Sequence, residues 1–154
     1  MPMFDHASSF NENISKWNTS NVTTMELMFC NATNFNQPLL SWDVSNVNDM
    51  FGMFQQAIAF NQDLSSWNTS NVTDMRHMFR HATFFDQPLS NWDVSNVTSM
   101  DSMFEGAIAF NQDLSLWITS NVRNMTSMFS HATSFNQNLS EWNTHNVIQV
   151  RGMF

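Results

Sequence analysis

The chain has 154 residues, 42% of them hydrophobic, which is enough apolar material to build a core. Its net charge of −8 repels a phosphate backbone, its apolar runs fall far short of the roughly 20 residues that span a bilayer, and its single cysteine, Cys30, has no internal partner. These features argue against a nucleic-acid partner, membrane insertion of this segment and a disulfide-stapled scaffold.

The apolar residues follow a period of 25 without an insertion. In chain order, Phe4 returns every 25 residues as far as Phe154, each copy preceded by Met. Ala7 returns to Ala132, Phe10 to Phe135, and Ile14 as a leucine from Leu39 to Leu139. The tryptophans are Trp17, Trp42, Trp67, Trp92, Trp117 and Trp142, and an Asn-Val pair begins at Asn21, Asn46, Asn71, Asn96, Asn121 and Asn146. Glycine and proline number only three each, so Asn, Asp and Ser must form the turns; Asn tolerates a left-handed backbone better than most side chains.

Within one unit, Met75, Met78, Phe79 and Ala82 fall at i, i+3, i+4 and i+7, with Phe85 three residues later, a spacing that predicts one face of a short helix. Asn71 or Thr73 is positioned to cap its start. The stretch from Phe85 to Val97 carries Leu89, Trp92 and Val94 among polar residues and includes Pro88, and it reads as a short extended strand with a bend. A unit of this size cannot bury its apolar face alone, whereas stacking sets each Trp, Phe and Met against its copy. The expected architecture is a single solenoid over residues 1–154: six 25-residue coils, each with one short helix and one short parallel strand. The Trp and Asn columns serve as structural ladders, the Asn columns satisfying the turns from inside. Neither end carries an atypical polar unit, so the expectation is a fragment of a longer array or an array whose ends join other copies.

The unit read from Met53 to Met75, Met-Phe-x-x-Ala-x-x-Phe-Asn-Gln-x-Leu-Ser-x-Trp-Asn-Thr-Ser-Asn-Val-Thr-x-Met, resembles the BspA-like leucine-rich-repeat surface proteins. More narrowly, it resembles the mycoplasma-type surface lipoprotein repeat of unassigned function. The resemblance covers the whole chain. It implies an α/β leucine-rich-repeat-like solenoid, an extracellular or cell-surface location, and a role in adhesion or protein contact; it implies no chemistry.

No set of residues here points to an enzyme. Ser, Thr and His recur as repeated types rather than as one special cluster, and no catalytic residue, cofactor or metal is expected. His77 and His81 have the i, i+4 spacing of a metal pair, yet no cysteine or carboxylate at matched spacing completes a site. Asp43, Asp63, Asp93 and Asp113 share their columns with asparagines, which suits turn formation better than calcium. Function is sought where the repeat departs toward apolar surface. The candidate protein-contact residues are Leu40, Phe51, Phe84, Leu116 and Ile118, the last two flanking Trp117 where other coils are mainly polar.

The expected function is a non-enzymatic scaffold for protein binding, adhesion or structural assembly, its partners being other proteins or copies of itself stacked end to end. The alternatives are a self-assembling filament subunit, and recognition of ice or glycan through the rows Thr19, Thr69, Thr119, Thr144 and Ser20, Ser45, Ser70, Ser95, Ser120, with Val44 and Val94 keeping the threonine row β-branched.

Overall fold

The computed structural model describes residues 2–154. The chain forms regular 25-residue coils stacked on one another, and parallel bridges join Thr24, Asp49, Asp74, Ser99, Asn124 and Gln149 in series, one residue from each coil. The core between the coils is a set of aromatic ladders. Phe54 stacks on Phe79 at 5.6 Å between ring centroids, and Phe60 on Phe85 at 6.0 Å. Trp67 stacks on Trp92 at 6.2 Å with rings 4° from parallel. Within a coil, Phe54 and Phe60 lie 4.0 Å apart, so the two phenylalanine columns form one continuous double stack. Buried methionines such as Met75, Met78 and Met100 fill the space beside the rings, as a flexible thioether does well.

The expected helix does not form. Among the described residues there is no α-helix and no strand longer than a single bridge, and consequently no helix long and apolar enough to cross a membrane. The hydrogen bonds give the reason. Within the predicted helical segment, Met78 N–H donates to the Met75 carbonyl, Arg80 to His77, and Ala82 to Phe79, all three residues back. The intervening donors leave the coil: His77 N–H reaches Asp101, Phe79 reaches Met103 and His81 reaches Glu105, at 2.9, 2.9 and 2.6 Å. An α-helix keeps its N–H groups for carbonyls four residues back, so these bonds exclude it. The apolar spacing that imitates a helix arises from a chain of turns, whose three-residue bonds likewise bring i, i+3 and i+7 to one side.

Two left-handed residues per coil produce this alternation. Leu27, Gly52, His77, Ser102, Ser127 and Gly152 have φ of 52–59°, and His6, Asn31, Gln56, His81, Gly106 and His131 have φ of 56–68°. Each occupies the third position of a three-residue-bonded turn, where type II geometry demands positive φ. Neither Asn71 nor Thr73 caps a helix: Asn71 donates its side-chain amide to Ser45, and Thr73 binds the Asn48 carbonyl through both N–H and hydroxyl. In the bridge column the Asp74 carboxylate instead accepts from the backbone N–H of Arg76 at 3.0 Å, closing a short side-chain turn. The predicted strand over Phe85–Val97 is likewise two successive turns, closed by Trp92 N–H on Leu89 and Val97 N–H on Val94. Parallel pairing lies instead just before the methionine column, around Asp74 and Ser99.

Candidate functional site

Leu116 and Ile118 are the most exposed apolar pair within the body of the stack, at 71% and 61%. Between them Trp117 turns inward, buried, with its indole N–H on the Leu89 carbonyl at 2.9 Å. Leu116 lies in the turn that Trp117 N–H closes on the Leu114 carbonyl, and Ile118 follows that turn. Both outward side chains replace groups that other coils use for hydrogen bonds. In the Ile118 column, Asn18, Asp43, Asn68 and Asp93 each accept from the backbone N–H of the serine two residues on, at 2.9–3.2 Å. In the Leu116 column, Ser41 and Ser66 donate their hydroxyls to carbonyls of the preceding coil, at 2.7 and 2.9 Å. The fifth coil therefore gives up two polar contacts and presents two aliphatic side chains in their place.

The other three candidates are not gathered at this pair. Leu40 stands alone, 41% exposed. Phe51 is only half-buried surface and is not free: the Arg76 guanidinium lies 5.1 Å over its ring, and the His77 ring is at 5.1 Å on a tilt. Phe84, 60% exposed, belongs to a different region together with Ile58 and Ile108, whose column lies one residue earlier in the neighbouring coils. Its backbone N–H donates to the Ile58 carbonyl, and Ala59 and Ala109 are its small neighbours in the same column. Ile58 and Ile108 are not among the candidates that the repeat pattern singles out. They were discernible as isoleucines in a column otherwise made of Ser8, Thr33, Thr83 and Thr133, but their regular 50-residue separation reads as part of the repeat.

The tryptophan and asparagine ladders lie on opposite sides of the backbone. The Trp42, Trp67, Trp92, Trp117 and Trp142 indoles donate to carbonyls 28 residues earlier at 2.9–3.1 Å, from inside the stack. Trp17, in the first coil, is 43% exposed. The Asn46, Asn71, Asn96, Asn121 and Asn146 amides donate to serine carbonyls 26 residues earlier at 2.7–2.8 Å. These asparagines are exposed, so this ladder laces the coils from outside rather than filling the turns from within; Asn21 is exposed likewise. A further ladder is built on the Asn-Gln pairs, where Asn36 Oδ1 accepts from both the Asn61 backbone and the Gln62 amide at 2.9 Å.

The threonine row proposed for an ordered lattice faces inward. Thr19, Thr69 and Thr119 are buried and donate to the carbonyls of Asp43, Asp93 and Asn143 in the next coil, and Val44 and Val94 are buried between them. Only Thr144 of that row is exposed, while the serine row is half-buried through Ser120. A β-branched side chain that reaches the next coil's backbone cannot also present a flat outer surface.

Charged groups act as local fasteners. Arg80 forms a two-pronged pair with Glu105 of the next coil at 2.9 and 3.2 Å. Burial opposes ionisation of Glu105, but hydrogen bonds from Arg80 and Ser102 outweigh it and hold the carboxyl below the usual range. Asp43 and Asp113 are lowered by hydrogen bonds from Ser45 and Ser115, and Asp63 and Asp93 accept in the same way from Ser65 and Ser95. Burial, reinforced by the neighbouring Asp5 carboxylate, pushes the Cys30 thiol up to about 11. His77 and His81 both occupy left-handed backbone positions, and among the described residues no three His, Cys, Asp or Glu side chains converge as metal ligands would.

A family model described as "Mycoplasma protein of unknown function, DUF285" matches the sequence twice, over residues 1–83 and 60–154. Comparison with curated proteins finds no match.

Proposed function

The chain therefore belongs to the DUF285 family of mycoplasma proteins of unknown function, and from that premise we propose that it is a non-enzymatic scaffold that binds other proteins at the cell surface or outside the cell. The observation that carries this reading is the Leu116–Ile118 pair. A substitution that gives up a hydrogen bond costs about 1 kcal/mol, and here two such losses fall in one coil at positions that also expose apolar surface. A partner that covered both side chains would gain roughly 2–4 kcal/mol from their burial, at least what the array gives up. The rigid ladders beneath them hold the pair in place without further ordering, which favours binding.

The test restores the residues that other coils carry. The Leu116→Ser, Ile118→Asn double variant should unfold at equal or higher denaturant concentration than the wild type, because its polar contacts return. It should also lose the surface-exposed proteins that immobilised wild-type chain retains from host-cell or bacterial surfaces. Retention of the same proteins at the same affinity by both chains would remove this pair from the reading.

A further inference from the structure

Two depressions of about 450 and 470 Å³ lie on either side of the row containing Thr73, Thr98 and Arg123, and both are lined by Thr98 and Arg123. One is bounded by the outer asparagine ladder at Asn96, Asn121 and Asn146. The other reaches Arg76 and Asp101. We propose that this furrowed surface binds an acidic oligosaccharide, a linear polyhydroxyl ligand whose carboxylate is taken by Arg123.

The charge pattern singles out Arg123. Arg76 is held by Asp74 at 2.6 Å and Arg80 by Glu105 at 2.9 Å, so those guanidiniums are already engaged. Among the described residues no carboxylate lies within ion-pair distance of Arg123, whose own column is otherwise Thr, Asn and Ile. An exposed, unpaired guanidinium is a local attraction for one anionic group against the general repulsion that a net charge of −8 sets up, and its planar fork suits a carboxylate. Two carboxylates line the same depression: Asp74, which is bound by Arg76, and Asp101, which has His77 Nε2 at 3.5 Å.

The outer ladder adds unused polar groups. Each outer asparagine commits one amide N–H to the coil before it, and among the described residues no donor reaches its side-chain oxygen. Every rung therefore keeps an acceptor and a second N–H for a ligand, at the spacing of about 4.8 Å that parallel backbone pairing sets. An extended peptide presents side chains on one side only every ~6.7 Å, out of register with these rungs. A saccharide carries hydroxyls, donor and acceptor together, on most of its ring carbons, and it meets closely spaced amides at each coil. Neither Leu116 nor Ile118 lines the two depressions.

The experiment is titration of the whole chain with polygalacturonate oligosaccharides, with their methyl-esterified neutral counterparts, and with polyglutamate. Polygalacturonate should bind, with amide shifts at Thr98 and Asn121. Arg123→Gln should weaken it about tenfold, the loss of one charge-assisted contact at an exposed site, with unfolding unchanged. Methyl esterification should weaken binding by a similar factor, and the Leu116→Ser, Ile118→Asn variant should retain it. The proposal is overturned if polygalacturonate fails to bind at millimolar concentration, if Arg123→Gln binds as well as the wild type, or if polyglutamate binds as tightly, which would assign the furrow to acidic protein segments.

Discussion

Four of the five histidines, His6, His77, His81 and His131, stand where φ is positive. With Asn31, they use the tolerance of Asn and His side chains for the left-handed region, and that backbone role explains their recurrence without any ligand. Gly106 occupies the same column as His81 at φ +68°, and the His81 imidazole rests where a side chain on Gly106 would begin. Gly106→Ala should therefore destabilise the fold by about 2 kcal/mol, part backbone and part collision. Adding His81→Ala should recover the collision and leave about 1 kcal/mol. Simple additivity of the two single variants in urea unfolding would show that the ring moves aside freely. Cys30 offers a second residue-scale test. With its thiol at about 11, alkylation of the native chain at pH 8 should be roughly a hundredfold slower than in denaturant.

At the scale of the coil, every second N–H along the turn segment serves the neighbouring coil, and the left-handed residues keep those donors parallel. Side-chain fasteners add to this lacing, and the Arg80–Glu105 pair is the one with a clear pH signature. Glu105 is depressed in the folded state, so its contribution is complete above the ordinary carboxylate range and disappears as pH falls through the lowered value. Because the pair is partly solvated, Arg80→Met should cost only about 0.5–1 kcal/mol at pH 7. That gap should close as Glu105 becomes protonated in both chains. A gap that persists at pH 2 would assign the effect to packing of the arginine stem. The apolar pattern of this element was readable, but its conformation was not. Met75, Met78, Phe79 and Ala82 do share one side, and their spacing fits a helix and a turn chain equally; only the destination of the His77, Phe79 and His81 N–H groups separates the two.

Across the whole molecule, the aromatic and hydrogen-bond ladders join each coil to its immediate neighbours, so stability should be close to a sum of coil and interface contributions. Removal of one full period, residues 55–79, brings Phe54 before Arg80 and keeps every column in register. That variant should unfold cooperatively at a lower denaturant concentration. Removal of residues 55–66, about half a period, should abolish cooperative unfolding, because it sets polar columns against the phenylalanine and tryptophan stacks. Equal behaviour of the two deletions, followed by tryptophan fluorescence, would contradict a register-dependent stack.

The period, the residues that stack and the stacked-coil architecture are legible in the letters alone, because side chains repeated at identical intervals are buried together when the coils stack in register. The sequence also marks Leu116 and Ile118, since a departure from a polar column is equally visible. The fold was needed for whatever depends on where backbone donors point. It replaced helix and strand by left-handed turn pairs, turned the Thr19–Thr69–Thr119 row inward, and put the Asn ladder outside. It also covered Phe51 with Arg76 and set Ile58 and Ile108 beside Phe84. Neighbouring coils meet at residues 24 to 28 positions apart, and a repeat reveals that two columns exist long before it reveals which of them faces the solvent.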